Sequence, residues 1–232
     1  MPAMTALPQA ELSIRSIGHE KEPLVILDGF SAMAKALLAT GRAAHFQQAG
    51  AFYPGLRAAV RPDLIEQRRD LVTGILEQVF ALRQEIVLEM LAYALVSTPR
   101  ARLQPMQCIP HYDQAGAHVV AGMFYMLGKE TGGTAFYRHR RTGFETISAA
   151  READYHAAVS EEFRTLGPPP RDYHYGDSDR YEMIGEVEAQ PDRLVLYRGR
   201  LLHSGVIPAH MPLSSDPGSA RMTMNMFFAG QR

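Results

Sequence analysis

The sequence predicts a mainly β fold with flanking helices, of the kind that closes into a jelly roll or barrel. Three observations predict it. The C-terminal two thirds break into short runs rich in β-branched and aromatic residues, separated by Gly/Pro turns. Helical periodicity is confined to the N-terminal third and to one later insertion. The 232 residues, 46% of them hydrophobic, suffice for one buried core. We therefore read residues 1–232 as one domain, with N-terminal strands and support helices over 13–100 and a β core over 101–232.

Each element has its own signal. Residues 1–12 are a weakly patterned lead-in. SIRSIG and LVILDGF read as two strands broken by the charged HEKEP. Ser31 or Asp28 is placed to cap the helix SAMAKALLATG, which Gly41 would end. A Gly/Pro-interrupted stretch (Gly50, Pro54, Gly55, Pro62) leads to the clearest helix, DLIEQRRDLVTGILEQVFALRQ. There Leu64, Ile65, Leu71, Val72, Ile75, Val79 and Phe80 fall at helical spacing behind Asp63 as N-cap. LAYALVSTP, MQCIPHYD, VVAGMFYML, GTAFYRHR, RLVLYRGRLLHSG and ARMTMNMFF are the strands. Between them, at about 148–180, lies a charged helical insertion ended by three prolines and the Tyr/Asp-rich RDYHYGDSDRYE. An insertion of that length reads as a lid and the main source of substrate contacts, with a dimer contact or a simple decoration as the alternatives.

Composition narrows the function. A net charge of −1 without a basic run argues against nucleic acid. The lone Cys108 excludes an intrachain disulfide and a Cys-based zinc cage. No apolar run is long enough to span a membrane, and the N-terminus does not read as a secretory signal, so a cytoplasmic protein is expected.

The chemistry centres on His111-Tyr112-Asp113. In an extended segment residues i and i+2 share a face, so the imidazole and the carboxylate converge. Random placement gives about 0.4 such pairs in this composition, so position has to carry the argument. The motif stands at a strand end, before Gln114-Ala115-Gly116, where barrel sites open. His203 follows near the close of another apolar run. Two His and one carboxylate form the facial triad of non-haem Fe(II) oxygenases, although a Zn²⁺ hydrolase can use the same ligands. His118, His139, His156, His174 and His210 read as surface or mouth residues. The basic cluster Arg138, His139, Arg140, Arg141 reads as a solvated strand end or an entrance lining.

The last strand separates the two chemistries. In ARMTMNMFF, Arg221, Thr223 and Asn225 alternate with Met222, Met224, Met226 and Phe228. A buried arginine is costly unless it meets an anion, and its planar fork suits a carboxylate.

The pattern His111-x-Asp113 … His203 … Arg221-x-Thr223, with MFYMLGKETGGTAFYRHR between, resembles the Fe(II)- and 2-oxoglutarate-dependent oxygenases, in particular the prolyl-hydroxylase-like members. The resemblance covers 105–232 well and 24–40 loosely. It implies a double-stranded β-helix, Fe(II) on His111, Asp113 and His203, and 2-oxoglutarate and O₂ as cosubstrates. It also implies Arg221 and Thr223 on the distal carboxylate, with Tyr125 as a further donor. The expected reaction hydroxylates a C–H bond of a small molecule, amino acid or peptidyl side chain; a homo-oligomer is compatible. Two departures stand out: no acidic residue follows the glycines, and the His203–Arg221 span is long. The second keeps Arg198 and Arg200 open as alternative anchors. A cupin-like hydrolase or isomerase without 2-oxoglutarate, and a non-catalytic binding module, are the competing readings.

Overall fold

The computed structural model describes residues 9–50, 53–83 and 85–230. Most of the lead-in, Gln84 and the Leu64 side chain lie outside the described residues. The first two runs form an antiparallel hairpin, β1 (Glu11–Ile17) and β2 (Glu22–Asp28). Helix α1 (Ala34–Arg42) follows, but neither expected residue caps it. Asp28 is gripped by both forks of Arg193 at 2.6 and 2.8 Å, and Ser31 is hydrogen-bonded to Asp192. Nor does Gly41 end the helix. It lies inside it, where a β-carbon would sit 2.6 Å from the Met222 sulfur, so its small size serves close packing.

Two strands that the sequence did not announce lie here, β3 (Gln47–Gln48) just before the Gly/Pro-interrupted stretch and β4 (Gly55–Ala59) within it. The long helix is in fact two, α2 (Asp63–Glu66) and α3 (Arg69–Gln78). Asp63 lies in the first turn behind Pro62, not at the cap. The break falls at Arg68, whose Nε donates to the Phe30 carbonyl at 2.6 Å, a tertiary bond that periodicity does not report. After Ala81, at φ +52°, the chain turns into β5 (Ile86–Val96), which starts earlier than LAYALV suggests.

The remaining elements are β6 (Val119–Tyr125), β7 (Gly133–His139), α4 (Glu152–Leu166), β8 (Tyr181–Glu188), β9 (Arg193–Arg198), β10 (His203–Val206) and β11 (Met222–Gly230). One sheet has the order β1-β2-β9-β6-β11-β5-β4-β3 and the other β10-β7-β8. Alternation on β11 sorts the layers. Met222, Met224, Met226 and Phe228 join Leu95, Phe124 and the α3 residues Val72, Ile75 and Leu76 in a core behind the large sheet. The opposite face looks into the space between the sheets, where Tyr125, Phe136, Val195 and Tyr197 pack. On the outer side of the small sheet, Tyr155 and Val159 of α4 pack against Tyr137 and Tyr181. Among the described residues, no helix is long and apolar enough to cross a membrane.

The entry to β7 tolerates no side chain. Gly132 has φ +94°, and a β-carbon there would lie 1.9 Å from the Val206 carbonyl oxygen. Gly132→Ala is expected to destabilise the fold by roughly 2–4 kcal/mol through combined strain and clash. Urea unfolding checks this, and an unchanged midpoint refutes it.

Candidate metal centre

MQCIPHYD is not a plain strand. Pro105–Cys108 form a 3₁₀ turn, and extended backbone begins only at Ile109. Cys108 is buried there, its Sγ 3.4 Å from the Gln104 carbonyl. His111 then forms a two-way backbone bridge with His203: its N–H donates to the His203 carbonyl at 2.9 Å, and the reverse bond is 2.8 Å. Directly bridged residues point to one side of a ladder. Asp113, two residues on, is on the same side, and its N–H donates to the Gly199 carbonyl at 2.7 Å. Backbone pairing thus brings the three side chains together. One ligand atom from each lies within 4.8 Å of the others, with His203 Nε2 3.6 Å and His111 Nε2 4.0 Å from the Asp113 carboxylate.

The electrostatics suit a cation. His203 Nδ1 is 2.8 Å from the Leu201 carbonyl, which places the proton on Nδ1 and leaves the Nε2 lone pair toward Asp113. Burial pushes the His203 pKa down to about 4, so the ring is neutral at pH 7. His111, open to a cavity on one side, is also lowered, first by burial and then by the neighbouring His203. Burial raises Asp113 to about 6, and its Oδ2 is buried without a hydrogen-bond partner. Two neutral imidazoles and an unpartnered carboxylate oxygen, turned to one point, fit a divalent transition metal.

The triad lines a cavity of about 660 Å³. Arg221 reaches it from just before β11, 3% exposed, with Nε and Nη2 donating to the Thr131 and Gly133 carbonyls at 2.8 and 3.0 Å. Thr223 lines the cavity too, its hydroxyl 3.0 Å from Asn225 Oδ1. Tyr125 lies opposite Thr223 across the ladder and stands behind Thr134, whose hydroxyl it meets at 2.6 Å. Arg198 and Arg200 are elsewhere. Both pair with Glu22, at 3.1 and 2.6 Å, which ties the β9–β10 turn to β2.

The histidines set aside in the sequence divide. His139 is no surface residue: it is fully buried, Nε2 3.1 Å from Glu162 of α4. Arg138 is likewise a strut, bonded to Glu145 and Glu182, so the basic cluster does not form an entrance. The insertion walls the cavity instead, through Glu152, Tyr155 and His156 of α4 and Tyr173 and His174 beyond it. The Tyr112 hydroxyl donates to Glu152 at 2.9 Å and meets His156 at 3.0 Å, linking the metal-facing segment to α4. Sequence reasoning missed Tyr53 and Arg57 of the wall, because they sit in the stretch read as a connector.

A model described as "Family of unknown function (DUF6445)" matches residues 8–228. The chain belongs to DUF6445. No curated protein sequence matches it. Solved structures do match the fold of this DUF6445 protein. The non-heme alpha ketoglutarate dependent epimerase SnoN from nogalamycin biosynthesis aligns over 90% of this chain and 78% of its own, at 11% identity and TM-score 0.50. HygX from Streptomyces hygroscopicus, solved with nickel and 2-oxoglutarate bound, aligns over 91% of this chain and 84% of its own, at 9% identity and TM-score 0.50. At such identities what the DUF6445 chain shares with them is the double-stranded β-helix of the non-haem 2-oxoglutarate-dependent enzymes.

Proposed function

We propose that this protein is a non-haem Fe(II)- and 2-oxoglutarate-dependent dioxygenase. The observation that carries the reading is the convergence of His111, Asp113 and His203 on one wall of a cavity that also holds the buried Arg221. His111, Asp113 and His203 would hold the iron, leaving sites for 2-oxoglutarate and O₂. When bound, this group supplies O₂-dependent decarboxylation of 2-oxoglutarate to succinate and CO₂, coupled to oxidation of a substrate C–H bond.

The chain's own share is positioning. The His111–His203 bridge fixes two imidazoles at the spacing of one ladder rung. Arg221, held by two backbone carbonyls through Nε and Nη2, would give its remaining Nη1 to the distal carboxylate, with Thr223 lining the same cavity. Among the described residues no carboxylate pairs with Arg221, so a diacid would supply its missing counter-charge. Tyr125, one hydroxyl behind, orients Thr134 on the same wall. The insertion supplies one wall of the cavity, through Glu152, Tyr155, His156, Tyr173 and His174, and is placed to contact the substrate. The substrate is a small molecule, an amino acid or a peptidyl side chain, and hydroxylation is the default outcome.

Anaerobic addition of 2-oxoglutarate to the Fe(II)-loaded protein is expected to give a weak visible absorption band that succinate does not give. Admitting air is expected to release succinate. A metal-binding protein with neither response is a hydrolase or isomerase instead. A protein indifferent to metal is a binding module.

A further inference from the structure

The cavity holds a second arginine that, among the described residues, pairs with no carboxylate. Arg57 on β4 pairs with Ala94 of β5, Ala94 with Thr223 of β11, and Thr223 with Tyr125 of β6. Residues opposite one another in a ladder share a face, so Arg57 points the same way as Thr223, into the space between the sheets. Two strand spacings, roughly 10 Å, separate their backbones. Ala94, between them, raises only a methyl group.

Arg57 lines the cavity with its guanidinium carbon 4.5 Å from the centre of the Tyr53 ring. Its Nε is buried without a hydrogen-bond partner, and among the described residues no carboxylate pairs with it. The neighbouring cases differ. Arg138, Arg193, Arg198 and Arg200 each hold a carboxylate, and Arg221 holds two carbonyls. Arg57 as a whole is half-buried and feels the Asp113 carboxylate only through space, with no bonded counter-charge, so its fork stays open to an incoming anion.

We propose that Arg57 binds a carboxylate of the oxidised substrate, which makes that substrate an anionic small molecule. The assignment rests on the dioxygenase reading, in which Arg221 takes the distal carboxylate of 2-oxoglutarate. With that anion on Arg221 and the other end of the diacid at the iron, Arg57 is left for a second anion. Its planar fork suits a carboxylate bidentately, while Tyr53 stacked on one face restricts the approach to the fork edge.

The test uses full-length protein loaded with Ni(II), which binds without turnover, and two probes, benzoate and its neutral counterpart benzamide. Calorimetry with and without saturating 2-oxoglutarate is expected to show benzoate binding and little benzamide binding. Arg57→Gln is expected to weaken benzoate about 10–100-fold while changing 2-oxoglutarate affinity by less than about 3-fold. Arg221→Gln should show the reverse pattern, and Arg57→Lys should recover part of the benzoate affinity. Equal binding of the two probes to the unaltered protein overturns the proposal. So does an Arg57→Gln variant that loses 2-oxoglutarate as badly as Arg221→Gln, since Arg57 would then anchor the diacid. Failure of the unaltered protein to bind 2-oxoglutarate sinks the dioxygenase reading instead. The benzoate arm without 2-oxoglutarate still reports whether Arg57 is an anion site.

Discussion

Asp113→Ala is expected to lower Fe(II) affinity by on the order of a thousandfold and to abolish succinate release. Asp113 is the single anion among the three side chains, so its loss leaves a dication facing two neutral imidazoles. The same change should not weaken the metal-free fold. Asp113 Oδ2 is buried without a partner, and burial already pushes its pKa up to about 6, so the carboxylate is a burden when no cation neutralises it. Its backbone N–H bond to Gly199 survives substitution. Calorimetric Fe(II) titration under anaerobic conditions measures the first effect, and urea unfolding of the metal-free variant the second. Metal affinity within tenfold of the unaltered protein would remove Asp113 from the ligand set. A large loss of apoprotein stability would make its role structural.

Arg221→Gln is expected to raise the 2-oxoglutarate dissociation constant about 100-fold, the scale for removing one partner of a buried hydrogen-bonded charge pair. It also withdraws donors from the Thr131 and Gly133 carbonyls, which lie where the chain enters β7. A buried carbonyl left unpaired costs about 1–3 kcal/mol, so the variant should be less stable as well. Arg221→Lys separates the two contributions, because it keeps the charge and loses the planar fork. Titration of Ni(II)-loaded variants with 2-oxoglutarate, alongside urea unfolding, measures both. Unchanged diacid affinity in Arg221→Gln refutes the assignment, and a parallel loss in Arg57→Gln would point to the other guanidinium.

The centre of the site was legible because its residues obey short-range rules. His111 and Asp113 share a face by the two-residue period of extended chain, and the run into β11 announces its inward Arg221 and Thr223 through the methionines alternating with them. What escaped depends on partners distant in sequence. The helix at 63–84 breaks because Arg68 bonds Phe30, thirty-eight residues away. His139 is buried because Glu162, twenty-three residues on, comes back to meet it. Arg57 lies on a strand of five residues amid glycine and proline, too short for alternation to register, and only its pairing with β5 turns it inward. Cys108 sits in a 3₁₀ turn because Pro105 opens that turn with no N–H to give a ladder.

β4 joins the large sheet next to its margin, bordered by β5 and by a β3 of two residues, whereas the His111–His203 rung lies on the outer edge of β10 in the small sheet. The proposed recognition element and the reactive groups therefore belong to different sheets. Exchanging β4 would then change which guest is admitted while leaving in place the strands that carry the machinery, an arrangement by which one scaffold can acquire new clientele a single short segment at a time.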